Sequence, residues 1–172
     1  MNAITCTRKH APAILDIFND AIVNSTALYD YKPRTLETMH AWFDLKDKTK
    51  QPVIGVESES GELMGFATYG VFRDKPAYKY SVEHSVYVAS QYRGKGVGRF
   101  LLKEIIELAK QNGIHMMIGA IDASNLVSVN LHKSLGFEHC GTIKQTGFKF
   151  GKWLDLDFYQ LILPTPLNPT DS

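Results

Sequence analysis

The feature that most constrains the fold of this chain is a glycine-rich segment at residues 91–99, which reads Gln-Tyr-Arg-Gly-Lys-Gly-Val-Gly-Arg. A β-type run precedes it at 79–89 and a strongly apolar helical pattern follows it at 97–112, so it is predicted to link a strand to a helix N-terminus. Free backbone N–H groups and the positive end of the helix dipole meet at such a point. The pattern therefore favours an anion-binding loop over a glycine turn that only starts the helix.

Two common phosphate-binding patterns are absent from this loop, which limits the kinds of phosphate ligand it can bind. The P-loop pattern GxxxxGK[ST] does not occur in the chain, and the dinucleotide pattern GxGxxG fails because its sixth residue, counted from Gly94, is Arg99. Three glycines and three cations nevertheless lie within residues 93–99, which supports binding of another phosphate-bearing ligand.

Periodicity along the remaining chain predicts an α+β domain rather than a regular strand-helix alternation of Rossmann type. Residues 1–163 are expected to form a single domain, and the proline-containing tail 164–172 is expected to be disordered. The second helix is expected to be capped by Thr35 and to bury Leu36, Met39 and Phe43 on one face. The predicted strands are 3–7, 52–58, 62–72, 79–89, 115–121, 137–147 and 152–163, and the predicted helices are 11–24, 36–47, 97–112 and 125–135.

Charge and cysteine content exclude several classes of protein. The formal net charge is +1, so a dedicated nucleic-acid binder is not expected. The two cysteines, Cys6 and Cys140, are far apart, which disfavours a disulfide framework and a zinc site, and Cys140 is expected to be a buried, inert thiol. No apolar run has the roughly 20 residues of a membrane span, so a cytoplasmic globular domain is expected.

Two motifs resemble those of the GCN5-related N-acetyltransferases, the GNAT superfamily. Gln91-x-x-Gly94-x-Gly96 resembles the loop that cradles the pyrophosphate of acetyl-CoA, and Asn125-x-x-Ser128-x-x-Leu131-His132-x-x-x-Gly136-Phe137 resembles the second cofactor motif. The resemblance implies the GNAT-type acyl-CoA N-acyltransferase fold, with a mixed, mostly antiparallel central sheet flanked by helices. It also implies acetyl-CoA as the cosubstrate and no metal.

Two further segments are similar to the phosphinothricin and methionine sulfoximine acetyltransferases within that superfamily. These are Glu83-His84-Ser85-Val86-Tyr87-Val88 and Gly147-Phe148-Lys149-Phe150-Gly151-Lys152-Trp153-Leu154-Asp155. The resemblance implies acetyl transfer to the α-amine of an amino-acid analogue, in a ternary complex, by a homodimeric enzyme. The alternatives are an acetyltransferase for peptide or protein N-termini and a non-catalytic acyl-CoA-binding module.

Glu83 is the candidate general base. Alternation along the strand places it on a polar face with Ser81, Ser85 and Tyr87, opposite the face that carries Val82 and His84. By resemblance, the family's glutamate at this position takes the amine proton directly or through water. His132 is the candidate general acid, since it stands where many superfamily members have a tyrosine that protonates the thiolate.

The remaining candidate residues are cofactor and acceptor contacts. Residues 72–80 carry a net charge of 3 − 1 = +2 among aromatic side chains, and Arg73 is suited to grip an anionic group of the acceptor; a solvated loop is the alternative. The resemblance implies that backbone groups of residues 86–88 pair with the pantetheine arm, with ordinary pairing to a neighbouring strand as the alternative, and that Tyr29 and Tyr31 close over the substrate. The expected cofactor contacts are Val86, Tyr87, Val88, Arg93, Gly94, Lys95, Gly96, Val97, Gly98, Arg99, Asn125, Ser128 and Ser134, and the expected acceptor contacts are Tyr29, Arg73, Tyr78, Glu83, His84 and Ser85.

Overall fold

The computed structural model describes residues 1–172, and its strands and helices follow one another in the predicted order. None of its helices is long and apolar enough to cross a membrane. The elements are β1 (Ala3–Thr5), α1 (Ala11–Asn24), α2 (Leu36–Thr49), β2 (Val53–Glu57), β3 (Leu63–Val71), β4 (Ser81–Val88), α3 (Val97–Gln111), β5 (Met116–Asp122), α4 (Leu126–Ser134), β6 (Glu138–Lys149) and β7 (Lys152–Ile162).

The seven strands are hydrogen-bonded in the order β1-β2-β3-β4-β5-β7-β6. The pairs β1–β2, β2–β3, β5–β7 and β6–β7 are antiparallel, whereas β4 pairs with β5 in parallel over Ser81–Glu83. The predicted mixed, mostly antiparallel sheet is therefore confirmed.

Helix boundaries follow local chemistry. The Thr35 hydroxyl accepts a hydrogen bond from the Thr38 N–H at 3.3 Å, which confirms the predicted cap of α2. Of the face predicted for this helix, Met39 and Phe43 are buried, but Leu36 is 42% exposed because it occupies the first, solvent-facing turn. The first strand ends at Thr5 rather than residue 7, since a 3-10 turn starts at Arg8 and the Thr7 N–H donates to His10 Nδ1.

Residues 1–69 and 85–105 form one compact unit. Its core includes an aromatic cluster in which Phe18 lies within 6 Å of three other rings, those of Trp42, Phe66 and Tyr87. Tyr87 thus anchors the C-terminal part of β4 to this core. Gly65 on β3 permits close packing here, because a Cβ at that position would lie 2.7 Å from the Tyr87 carbonyl oxygen.

Residues 70–84 and 106–172 form a second compact unit. Its buried side chains include Met117 and Ile121 of β5, Val129 of α4 and Phe137. The tail 164–172 contains no helix or strand. Its contacts with the rest of this unit include the Thr165 carbonyl, which lies 2.9 Å from His115 Nδ1, the Thr170 N–H, which donates to the Tyr80 hydroxyl at 3.0 Å, and the Ser172 carbonyl, which accepts from Lys79 Nζ at 3.3 Å.

Candidate active site

Two glycines of the glycine-rich loop adopt left-handed backbone conformations. Gly94 and Gly96 have φ angles of +74° and +81°, which side-chain-bearing residues rarely adopt. A Cβ at Gly94 would meet nothing within 4 Å, so backbone conformation and not space requires glycine there. Helix α3 begins directly afterwards at Val97, so the helix N-terminus, where backbone N–H groups have no carbonyl partner within the helix, lies beside the loop.

The three cations of the loop differ in their surroundings. Arg93 is bound to protein groups: its guanidinium pairs with Asp20 of α1 at 2.7 Å and donates to the Val88 carbonyl at 3.2 Å. Lys95 is exposed, with its Nζ 5.3 Å from the centroid of the Tyr92 ring. Arg99 is also exposed. Arg93 therefore ties the loop to α1 and β4, and all three cations are exposed.

The start of the loop is also tied to the turn before β3. One carboxylate oxygen of Glu62 accepts from the Gln91 side-chain amide at 2.7 Å, and the other accepts from the Tyr92 hydroxyl at 2.6 Å. These bonds, with Tyr92 contributing most, lower the pKa of Glu62. Sequence reasoning missed both Glu62 and Asp20, because they lie about 30 and 73 residues from their partners and carry no local motif.

Glu83 projects from β4 between two buried neighbours, Val82 and His84, which confirms the predicted alternation at this point. Although the side chain is exposed, adjacent protein atoms shield its carboxyl group from part of the solvent and raise its pKa, while the positive charge of Arg73 opposes this shift. A carboxylate of raised pKa is a better proton acceptor than a fully solvated one.

His84 and His132 form a buried ring pair. Their Nε2 atoms are 3.1 Å apart, their rings are inclined by 20° with centroids 5.0 Å apart, and each residue is less than 10% exposed. His132 Nδ1 lies 2.7 Å from the Ser128 carbonyl oxygen, so Nδ1 must carry the proton that makes this bond. His132 Nε2 is then an acceptor, and His84 Nε2–H donates to it. His84 Nδ1 consequently lacks a proton, and it is buried without a hydrogen-bond partner.

This network has a consequence for catalysis. Burial, together with the neighbouring His132, lowers the pKa of His84 to about 3, and burial lowers the pKa of His132 despite its bond to the Ser128 carbonyl. Both rings are therefore neutral near pH 7, and the single N–H of His132 is already used. This geometry argues against the general-acid role predicted for His132 and favours a positioning role. The ring of His84, predicted as an acceptor contact, likewise lies in the interior.

The predicted second cofactor motif, residues 125–137, spans α4 from its N-cap to the turn after the helix. The Asn125 side-chain oxygen accepts from the Ser128 N–H at 3.2 Å, so Asn125 is the N-cap of the helix. Ser134 is exposed at the other end of α4, where its hydroxyl donates to the Leu131 carbonyl at 2.7 Å. Asn125 and Ser128 thus define the first turn of this helix.

The predicted acceptor residues occupy exposed positions in both units. Arg73 lies 5.0 Å from the centroid of the Phe72 ring, and Tyr78 packs edge-on against the same ring at 5.8 Å. Tyr78 is 41% exposed, and Tyr29, in the first unit, is 36% exposed. Ser85 is half-buried on β4. The second unit thus brings Arg73 near enough to Glu83 for their charges to interact.

Cys140 is exposed on β6, so its predicted burial is wrong. The reason is its place on the last strand of the sheet, where its thiol donates to the Phe158 carbonyl at 3.1 Å. Nearby protein atoms raise its pKa, which keeps the thiol protonated and weakly nucleophilic. The structure contains no group of three or more His, Cys, Asp or Glu side chains arranged to hold a metal ion.

Comparison with known proteins supports these observations. The family model described as "Acetyltransferase (GNAT) family" matches residues 13–137. A relative from Pseudomonas aeruginosa, named L-methionine sulfoximine/L-methionine sulfone acetyltransferase, is 44% identical over 94% of this chain and 91% of its own length.

Two solved structures extend the comparison. The structure of a protein named ribosomal-protein-alanine N-acetyltransferase, from Brucella melitensis, is 45% identical with a TM-score of 0.92, over 95% of this chain and 100% of that one. A GNAT superfamily phosphinothricin acetyltransferase from Sinorhizobium meliloti, in complex with acetyl-CoA, is 31% identical with a TM-score of 0.93, over 98% and 91% of the two chains.

Proposed function

Because this chain belongs to the GNAT acetyltransferase family, we propose that it moves the acetyl group of acetyl-CoA to the α-amine of an amino-acid analogue. The acceptor class is that of methionine sulfoximine, methionine sulfone and phosphinothricin. The observation that carries this proposal is the 44% identity to a methionine sulfoximine/sulfone acetyltransferase over almost the whole chain. The residues present also suit an anionic amino-acid acceptor.

In this proposal the glycine-rich loop binds the pyrophosphate of acetyl-CoA. The positive φ angles of Gly94 and Gly96, the first turn of α3 and the exposed cations Lys95 and Arg99 support it. Acetyl-CoA supplies the acetyl group as a thioester. The pantetheine contacts of Val86, Tyr87 and Val88, and the contacts of Asn125, Ser128 and Ser134, stay predictions.

Glu83 acts as the general base in this proposal. An α-amine must lose a proton before it can attack a carbonyl carbon, and the shielded Glu83 carboxylate is suited to accept that proton. Arg73, whose charge acts on Glu83, would hold the anionic group of the acceptor. A negative acceptor beside Arg73 would offset the positive charge that lowers the pKa of Glu83, and would thereby make Glu83 a stronger base.

The test is release of free CoA thiol from acetyl-CoA with a panel of amines: L-methionine sulfoximine, L-methionine sulfone, phosphinothricin, common amino acids, spermidine and a peptide that begins with alanine. We expect turnover with the first three.

Glu83→Gln should lower kcat by about 10²- to 10⁴-fold and remove the acidic limb of the pH–rate profile, while CoA still binds. The exposed carboxylate of Asp74 offers the control, and Asp74→Asn should leave kcat unchanged. Normal turnover by Glu83→Gln would refute the base assignment.

The second candidate is N-terminal acetylation of a protein or peptide. The name of the Brucella melitensis protein, at 45% identity, favours it, and the alanine peptide of the panel tests it. Turnover with that peptide alone would replace the amino-acid-analogue proposal. CoA binding without turnover of any amine would instead indicate a non-catalytic binding module.

We further propose that the protein is a homodimer that pairs through the β6–β7 hairpin. Strand β6 is at one end of the strand order, so one of its edges is free for a second strand. The hairpin also exposes three aromatic side chains, with Phe148 46%, Phe150 58% and Trp153 61% exposed. Light scattering that gives the mass of one 19.3 kDa chain would refute this proposal.

A further inference from the structure

We propose that Glu62 is a positioning residue for the anion-binding loop, which it holds in place through Gln91 and Tyr92. This inference rests on the proposed binding of acetyl-CoA by that loop. Glu62 lies in the turn before β3, outside every motif that predicted the cofactor site. Its role is to fix the conformation of the loop without touching the cofactor.

The geometry of the contact carries the inference. Each Glu62 carboxylate oxygen has its own partner, at 2.7 Å on the Gln91 amide and 2.6 Å on the Tyr92 hydroxyl. Two bonds to adjacent residues fix the direction of the chain as it enters the loop, which one bond would not do. Their short lengths are those of charge-assisted hydrogen bonds to an ionised carboxylate, and both bonds lower the pKa of Glu62 further below neutral pH.

Tyr92 connects this contact to the loop cations. Its ring lies 5.3 Å from Lys95 Nζ, which favours a position of the ammonium group above the ring. On the other side, Arg93 is held by Asp20 and the Val88 carbonyl. Residues 91–93 are thus held on both sides, and the flexible glycines begin only at Gly94. A loop ordered before binding loses less conformational entropy when it closes on an anion.

The direction in which CoA affinity changes when Glu62 is removed distinguishes a positioning role from a purely electrostatic one. A carboxylate beside a phosphate site repels the ligand, so its removal should tighten binding if Glu62 were only a surface charge. Positioning predicts the opposite, because the loss of both hydrogen bonds disorders the loop. Glu59 lies in the same turn and is exposed, so Glu59→Ala measures the effect of removing one charge from this turn.

The experiment measures the Kd of CoA by calorimetry, and kcat and the two KM values, for the wild type, Glu62→Ala, Glu62→Gln, Tyr92→Phe and Glu59→Ala. We expect Glu62→Ala to raise the Kd of CoA and the KM of acetyl-CoA by about three- to tenfold, with kcat and the acceptor KM unchanged. Glu62→Gln, which keeps one acceptor oxygen, and Tyr92→Phe, which removes one bond, should show smaller increases. Glu59→Ala should leave CoA binding unchanged or slightly tighter.

The outcomes distinguish this inference from the proposed function. Failure of the wild type to bind CoA would overturn the proposed cofactor site, and the role of Glu62 with it. If the wild type binds CoA and Glu62→Ala binds it equally well or more tightly, the positioning role alone is wrong. A fall in kcat without a change in KM would also overturn it, because loop position governs cofactor binding and not proton transfer.

Discussion

Lowering the pH should destabilise this protein through the buried pair of His84 and His132. Burial and the neighbouring ring lower the pKa of His84 to about 3, whereas an unfolded histidine titrates near about 6.5. The unfolded state therefore binds more protons across this window, and the free energy of unfolding falls as the pH falls. At about 1.4 kcal/mol per pH unit below pH 6.5, His84 alone costs about 2 kcal/mol between pH 7 and pH 5. The lowered pKa of His132 acts in the same direction.

Urea unfolding at pH 7, 6 and 5, followed by tryptophan fluorescence, tests this prediction. His84→Gln removes the titrating ring but keeps an amide N–H that can donate to His132. It should therefore lose about 2 kcal/mol less than the wild type between pH 7 and pH 5. His40→Gln, at an exposed histidine of α2, should follow the wild type. Parallel losses in wild type and His84→Gln, within about 0.5 kcal/mol, would refute the neutral-pair reasoning.

Two further predictions concern the first unit. Gly65→Ala should lower the free energy of unfolding, measured with urea, by about 3 kcal/mol, because the new Cβ would lie 2.7 Å from the Tyr87 carbonyl oxygen. Gly61→Ala is the control: its Cβ meets no atom and only the positive φ is unfavourable, so the free energy of unfolding should fall by about 1 kcal/mol. Lys46 is buried, which lowers its pKa to about 8, so the unfolded state binds more protons between pH 8 and 10.5 and stability rises with pH there. Between pH 7 and pH 10 the wild type should gain about 2 to 3 kcal/mol relative to Lys46→Met, and equal pH slopes in the two proteins would contradict this.

The order of strands and helices was predictable from the sequence because each element carries its own local signal. A threonine directly before a helix, such as Thr35, can cap that helix through its own side chain. Gly113 ends α3 with a φ of +70°, which few other residues tolerate. The glycine-rich loop was predictable for the same reason, since its backbone conformation depends on a few consecutive residues. The alternation that exposes Glu83 between Val82 and His84 is equally local.

Contacts between distant residues were decided only by the tertiary structure. The sequence showed His132 as a lone helix histidine, but its partner His84 is 48 residues away, and their proximity determines both the tautomers and the pKa values. Arg93 looked like a free phosphate ligand until the fold placed Asp20 beside it. Composition, spacing and motifs thus predicted the fold class, the glycine-rich loop and the candidate base, because these depend on neighbours in the chain. Packing decides which groups are charged and which residues hold the loop, because the free energy of a proton is set by the atoms that surround it in space.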